Sequence, residues 1–404
     1  MILIPVIGDS ASNYVSSKPS NPDSPQEQEE RPLGDSQWLP VIKEFQDLIE
    51  GNEVLLRGFT QMFEQASTIS GGSRARSYKD MRHSINDEIQ QAPRYRRVDY
   101  VGCNLYHVLD KVMCTPIGLV TLANPLVNNQ FKKIFDVWAA FLSSGQSRSV
   151  LTTDEDGWFG PTARVDVPHF FDTFINDHNH PYGGFKSWDD FFTRPLRPGA
   201  RPVGHPENNS IITSACESIV YRVANNIKER DSFWLKGQPY SLRNMFQDGP
   251  FTGRFVGGSI LQCFLPSINY HRWHSPVNGR VVKTRKNPGI YYSQASPTPD
   301  GPQLDPAASQ GFLTAVATRA LVFIESDNPH IGLMCLMAVA MIEVSTCDIR
   351  VKVNDRVVKG QELGMFHFGG STYCMLFRAG VKVEFSCAPG DSVLVNSAIA
   401  TVSV

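Results

Sequence analysis

Two glycines followed by a serine and a threonine, Gly369-Gly370-Ser371-Thr372, mark the first place where this chain could do chemistry. Glycine frees the backbone for dihedrals that other residues avoid. The serine hydroxyl is a candidate nucleophile once a base takes its proton. Seen alone, such a turn usually just joins two strands. A second segment supplies possible bases: Tyr270-His271-Arg272-Trp273-His274-Ser275-Pro276-Val277-Asn278-Gly279. Histidines three apart could be a metal pair. On a strand, however, positions i and i+3 face opposite ways, and no further ligand set accompanies them. One histidine as a base and the other as a substrate group is the better fit. A third segment, Ser214-Ala215-Cys216-Glu217-Ser218, places a carboxylate in an apolar strand context, where Glu217 orients a histidine or caps a turn.

Other polar residues are weaker candidates. Asp177-His178-Asn179-His180 sits in a Pro/Gly-rich loop and reads as solvated. His367 lies close to the Gly-Gly-Ser turn and could assist there or be a plain strand residue. Glu343 and Asp348 flank an apolar run and are set aside as catalytic groups.

These residues need elements to position them. Residues 1–36 are rich in Ser, Asn, Pro, Gln and Glu and read as a flexible tail. Residues 37–160 read as a helical domain. Phe45, Leu48 and Ile49 recur at helical spacing, as do Leu56, Phe59, Met62 and Phe63. Further helical blocks are expected over 100–113 and 131–141. Residues 161–404 read as a β-rich catalytic domain, with strands expected near 210–223, 259–265, 279–283, 320–325, 333–344 and 381–386. One internal echo stands out. Residues 353–364 overlay residues 389–400 at an offset of 36, matching Val357 with Val393 and Leu363 with Ile399. Paired hairpins of this kind suit a flattened β-barrel or sandwich with pseudo-twofold symmetry. The fold class is therefore α+β.

Composition narrows the function classes. The 404 residues are 41% apolar and carry a formal charge of −2, which gives no general pull toward nucleic acid or anionic membrane. The eight cysteines form no CxxC pair and read as thiols of a reducing compartment. The apolar start, residues 1–7, is too short for a signal peptide. The run from Ile331 to Ile342 falls short of the roughly 20 residues a membrane helix needs and reads as a buried strand. A cytoplasmic protein without a membrane anchor is expected.

Taken together, the Gly-Gly-Ser, His-x-x-His and Glu217 segments, with Phe191-Phe192-Thr193-Arg194-Pro195-Leu196-Arg197-Pro198-Gly199-Ala200-Arg201-Pro202-Val203, resemble the pyruvoyl-dependent phosphatidylserine decarboxylase family over about residues 185–404. The helical part, with ACES, YHRWH, NPGIYY, STC and MFHFGGS, more closely resembles a fungal branch acting on L-tryptophan. The phospholipid enzymes carry Asp-Gly where this chain has Glu217-Ser218, which argues against phosphatidylserine as substrate.

The resemblance implies self-cleavage between Gly370 and Ser371, leaving residues 1–370 and 371–404 associated. It implies that His274 takes the Ser371 proton, that Glu217 holds His274, and that Ser371 becomes a pyruvoyl group. A substrate amine then forms a Schiff base with that group, with His271 recognising the carboxylate or supplying a proton. Neither pyridoxal phosphate nor metal is expected. The expected activity is decarboxylation of an aromatic L-amino acid, tryptophan to tryptamine in the first instance. The alternatives are phosphatidylserine decarboxylation, a non-catalytic metabolite- or lipid-binding β-domain, and a carrier domain. The last lacks a lysine on a suitable hairpin tip, since Lys359 precedes Gly360 in a different turn.

Overall fold

A computed structural model describes residues 38–69, 74–96, 105–231, 240–247, 249–266, 268–294, 309–340, 346–369 and 371–403. Leu39–Val404 form one compact unit. The expected tail, Gly370 and Glu343 lie outside the described residues.

The helical portion follows the apolar spacing. The helix Pro40–Glu50 begins on proline, whose missing N–H costs nothing there, and buries Val41, Ile42, Phe45 and Ile49. The helix Glu53–Ala66 is capped by Asn52, whose side chain accepts from the Val54 and Leu55 N–H groups. It buries Leu55, Phe59, Met62 and Phe63. Pro125–Leu142 turns Phe131, Ile134, Phe135 and Trp138 inward. Phe45 packs edge-on against Phe59 at 5.6 Å and against Phe131 at 5.4 Å. Each such ring, fully buried, stabilises the fold by about 2 kcal/mol. The block expected over 100–113 is broken up in its described part. The helix Tyr106–Leu109 is short, and Thr115-Pro116 starts a new helix.

Fourteen strands occur among the described residues. β1 is Ile211–Thr213, β2 Ser218–Asn225, β3 Ser259–Leu265, β4 Arg272–His274 and β5 Gly279–Asn287. β6 is Arg319–Ser326, β7 Leu333–Ala340, β8 Thr346–Ile349, β9 Arg356–Val357 and β10 Glu362–His367. β11 is Ser371–Phe377, β12 Lys382–Phe385, β13 Ser392–Val393 and β14 Ala398–Ser403. They form an eight-stranded sheet, β13-β2-β3-β11-β7-β6-β5-β9, and two three-stranded sheets, β1-β14-β12 and β4-β10-β8. The sheets are open rather than closed into the barrel that was one of the two expected forms. Every residue of the apolar β7 is buried, as its sequence demanded.

The echo at an offset of 36 is structural, but not as the expected hairpins: β9 does not pair with β10, nor β13 with β14, because the chain crosses from one sheet to another between them. β9 maps onto β13 and β10 onto β14, end for end. Asn354 and Gly390, 36 apart, both have positive φ, and so do Gly360 and Asn396. β9 and β13 close opposite edges of the large sheet, while β10 and β14 each sit at the centre of a small one. The core between the sheets contains Trp273, Leu336, Phe366, Tyr373 and Ile399.

Candidate active site

Ser371 opens β11, an interior strand of the large sheet, where it stands opposite Leu265 of β3 and Ala340 of β7. Its side chain is fully buried. Behind it, Gln262 donates to the Thr372 hydroxyl at 3.1 Å and accepts from Tyr240 at 2.7 Å. Thr372 in turn donates to the Cys263 carbonyl at 2.8 Å. This hydrogen-bonded polar set fixes the start of β11.

His271 is the histidine at the serine. Its Nδ1 lies 3.5 Å from the Ser371 Oγ, and the residue is wholly buried. Its ring stacks on Phe192 with centroids 4.1 Å apart. Its carbonyl accepts from the Phe366 N–H at 2.9 Å, which docks it beside the end of β10.

His274 is placed differently. The ladder pairs it with Glu362, at the far end of β10 from Ser371. Three residues of strand separate it from His271 by about 10 Å along the chain. Its Nδ1 lies 2.6 Å from the Gly360 carbonyl and its Nε2 2.8 Å from the Tyr270 hydroxyl. A carbonyl only accepts, so Nδ1 carries the proton and Nε2 accepts from Tyr270. Burial lowers the His274 pKa below its ordinary value, which agrees with this neutral ring. Burial also pushes the Tyr270 phenol up, so it stays a donor.

Glu217 pairs with Arg201 rather than with His274. Its carbonyl accepts from the Asn269 side chain at 3.3 Å, a main-chain link to the histidine segment. The relay expected from the sequence, Glu217 to His274 to Ser371, is therefore not the hydrogen-bond arrangement of the folded chain. The reason is register: His271, not His274, borders the Gly-Gly-Ser turn, and both His274 nitrogens are engaged elsewhere.

Sequence reasoning missed several supporting groups. Phe192 and Arg201 lie inside the segment that carried the family resemblance, yet nothing in their spacing pointed to His271 or Glu217. Arg194 is a buried cation that donates to the carbonyls of Ile268 and Asn269, just ahead of Tyr270. It lies against the rings of Phe170, Phe174 and Phe191, and burial lowers its pKa to about 10. A cleft of about 1150 Å³ reaches Arg194, Phe191 and Ile268 but is not lined by Ser371 or His271.

Among the described residues no three His, Cys, Asp or Glu side chains form a metal-binding group. No described helix is long and apolar enough to cross a membrane. The described cysteines are free, six buried and Cys387 partly so.

Comparison with known proteins covers both portions. A family model described as phosphatidylserine decarboxylase matches residues 188–401, and a second of the same description matches residues 39–167. The chain is 38% identical over 387 residues to the L-tryptophan decarboxylase of Psilocybe cubensis, covering 90% of this chain and 86% of the relative. It is 41% identical over 307 residues to Decarboxylase iboD of Amanita muscaria, covering 71% of this chain and 88% of that one. Phosphatidylserine decarboxylase proenzyme 3 of Schizosaccharomyces pombe is 34% identical over 214 residues, 52% of this chain and 21% of the relative. The match of the whole sheet portion, with the buried serine and histidine it holds, places this chain in the phosphatidylserine decarboxylase family, as a carboxy-lyase.

Proposed function

We propose that the chain cuts itself between Gly370 and Ser371, converts Ser371 into a pyruvoyl group, and decarboxylates an aromatic L-amino acid, L-tryptophan first among them. The observation that carries this reading is the buried Ser371 Oγ with His271 Nδ1 at 3.5 Å.

In the cleavage step His271 takes the hydroxyl proton while Oγ attacks the Gly370 carbonyl carbon. The Gly370–Ser371 amide bond breaks, its nitrogen takes the proton from His271 to become the free amine, and an ester forms in its place. Loss of the Ser371 α-proton then expels the Gly370 carboxylate and leaves a dehydroalanine. Addition of one water releases ammonia and leaves the ketone of a pyruvoyl cap. The buried pocket fits such a cap, which occupies the space of the serine side chain beside a proton carrier. The second chain, residues 371–404, supplies β11 to β14, and β11 is bonded on both sides, so the two pieces stay together.

The pyruvoyl group supplies the electron sink for loss of carbon dioxide. His271 stands beside residue 371 and is placed to return a proton to the reacting carbon. His274 and Tyr270 hold the segment that carries His271. Leu265 and Ala340, both buried, flank residue 371 across the ladder. Tryptophan is supported by the names of the relatives that match most of the chain.

The test is intact mass and turnover together. The purified protein should run as two chains, the smaller blocked by a pyruvoyl cap, and Ser371→Ala should stay whole. The processed protein should release amine from tryptophan, with tyrosine, phenylalanine and phosphatidylserine vesicles as the comparison set. An ordinary N-terminal serine on the smaller chain removes the pyruvoyl reading. Phosphatidylethanolamine with no aromatic amine removes the substrate reading alone.

A further inference from the structure

The turn that carries Ser371 is held at its other end by a contact the cleavage chemistry does not use. His367, the last residue of β10, places Nδ1 2.9 Å and 3.1 Å from the two carboxylate oxygens of Asp189. Its Nε2 lies 3.8 Å from Asp348 of β8, and Asp348 is itself paired with Arg350 at 2.7 Å. The side chains of His367 and Asp189 are each only 17% exposed, so the pair is shielded from water.

Asp189 lies in the helix Trp188–Phe192, whose last residue, Phe192, stacks on His271. One short helix therefore touches both sides of the turn: His367 through Asp189, and through Phe192 the histidine that faces Ser371. Between the two holds, Phe368 has φ of 73°, a left-handed conformation that an aromatic L-residue avoids. Phe368 is buried, so it cannot relax outward without losing packing.

We propose that Asp189 and His367 form a positioning clamp for self-cleavage. The clamp fixes the end of β10, β11 fixes Ser371, and the same helix steadies His271. The proposal rests on the reading that cleavage occurs between Gly370 and Ser371. His367 acts here through the backbone it anchors and is not a base in the reaction.

Cleavage is followed by gel and intact mass from the moment of synthesis in a cell-free system. The set is wild type, His367→Ala, His367→Gln, Asp189→Ala and the double variant His367→Ala with Asp189→Ala. Thermal unfolding of the same substitutions in the uncut Ser371→Ala chain reports folding separately. His367→Ala and Asp189→Ala should each slow cleavage at least tenfold, and the double variant should be no slower than the slower single. His367→Gln, whose amide can still donate to Asp189, should stay within threefold of wild type. Cleavage of folded His367→Ala or folded Asp189→Ala at the wild-type rate overturns the clamp. So does a Gln variant as slow as the Ala variant, or additive losses in the double variant. If His367→Ala does not fold, Asp189→Ala decides alone. A wild-type chain that stays uncut removes the underlying cleavage reading, which Ser371→Ala identifies as a different failure.

Discussion

Phe192 and His271 lie face to face, centroids 4.1 Å apart and ring planes 23° from parallel. The stack fixes the imidazole plane, and with it the direction of Nδ1 toward Ser371. A stacked pair of this kind contributes about 1 kcal/mol beyond simple burial. Phe192→Leu keeps the apolar volume and removes the ring face. Self-cleavage should slow about fivefold while the protein stays folded, as a cleavage time course beside a thermal melt would show. Unchanged cleavage would mean that the backbone alone sets the His271 ring.

The two histidines should separate cleanly. His271→Ala removes the group at 3.5 Å from Ser371 and should slow cleavage by about 10² to 10⁴, the range of a lost general base. His274→Ala leaves the Tyr270 hydroxyl and Gly360 carbonyl without their partner. It should lower stability by about 1–3 kcal/mol while the folded fraction still cuts itself. Urea unfolding and gel analysis of both variants decide the matter. Normal processing in His271→Ala with none in a folded His274→Ala would restore the relay expected from the sequence.

Acid should act through His274. Burial lowers its pKa in the folded chain below the ordinary 6.5, so the unfolded chain takes the proton more readily. The contribution is intact above pH 6.5 and is lost as pH falls below that value toward the depressed folded pKa. The melting temperature should drop from pH 7 to pH 5.5, and His274→Gln should drop less over the same interval. Parallel curves for the two proteins would place the acid sensitivity elsewhere.

Much of this architecture is legible in the sequence where one residue type permits one local geometry. The offset of 36 predicts a repeat, and the positions it aligns, Asn354 with Gly390 and Gly360 with Asn396, are where the backbone turns left-handed; the expected hairpins do not form, because each pair of echoed strands divides between two sheets. The Gly-Gly-Ser-Thr turn and the two histidines stand out for the same reason. Which histidine meets the serine is not legible. It depends on the pairing of β4 with β10, and a shift along that ladder exchanges one ring for the other. Contacts across long separations leave no spacing signal. Asp189 meets His367 across 178 positions, and Arg201 reaches Glu217 only because the 194–203 segment passes the start of β2. The sequence around Glu217 holds no sign of Arg201, so the spacing alone leaves its carboxylate as a histidine partner or a turn cap.

The electron sink should come from the chain itself, and carbonyl chemistry tests that most directly. Hydroxylamine and phenylhydrazine attack ketones, and the only reactive ketone the proposed cleavage creates is at residue 371. Inactivation by either reagent should occur in enzyme dialysed against chelator, and added pyridoxal phosphate should not restore activity. The derivative should appear as a mass increase on the chain beginning at residue 371, with residues 1–370 unmodified. Excess tryptophan should slow the labelling, because its amine competes for the same carbon. The Ser371→Ala protein should take up no reagent at any concentration that inactivates the wild type. Inactivation without a label on the smaller chain would separate activity from Ser371 and remove the assignment of that residue as the source of the reactive carbonyl.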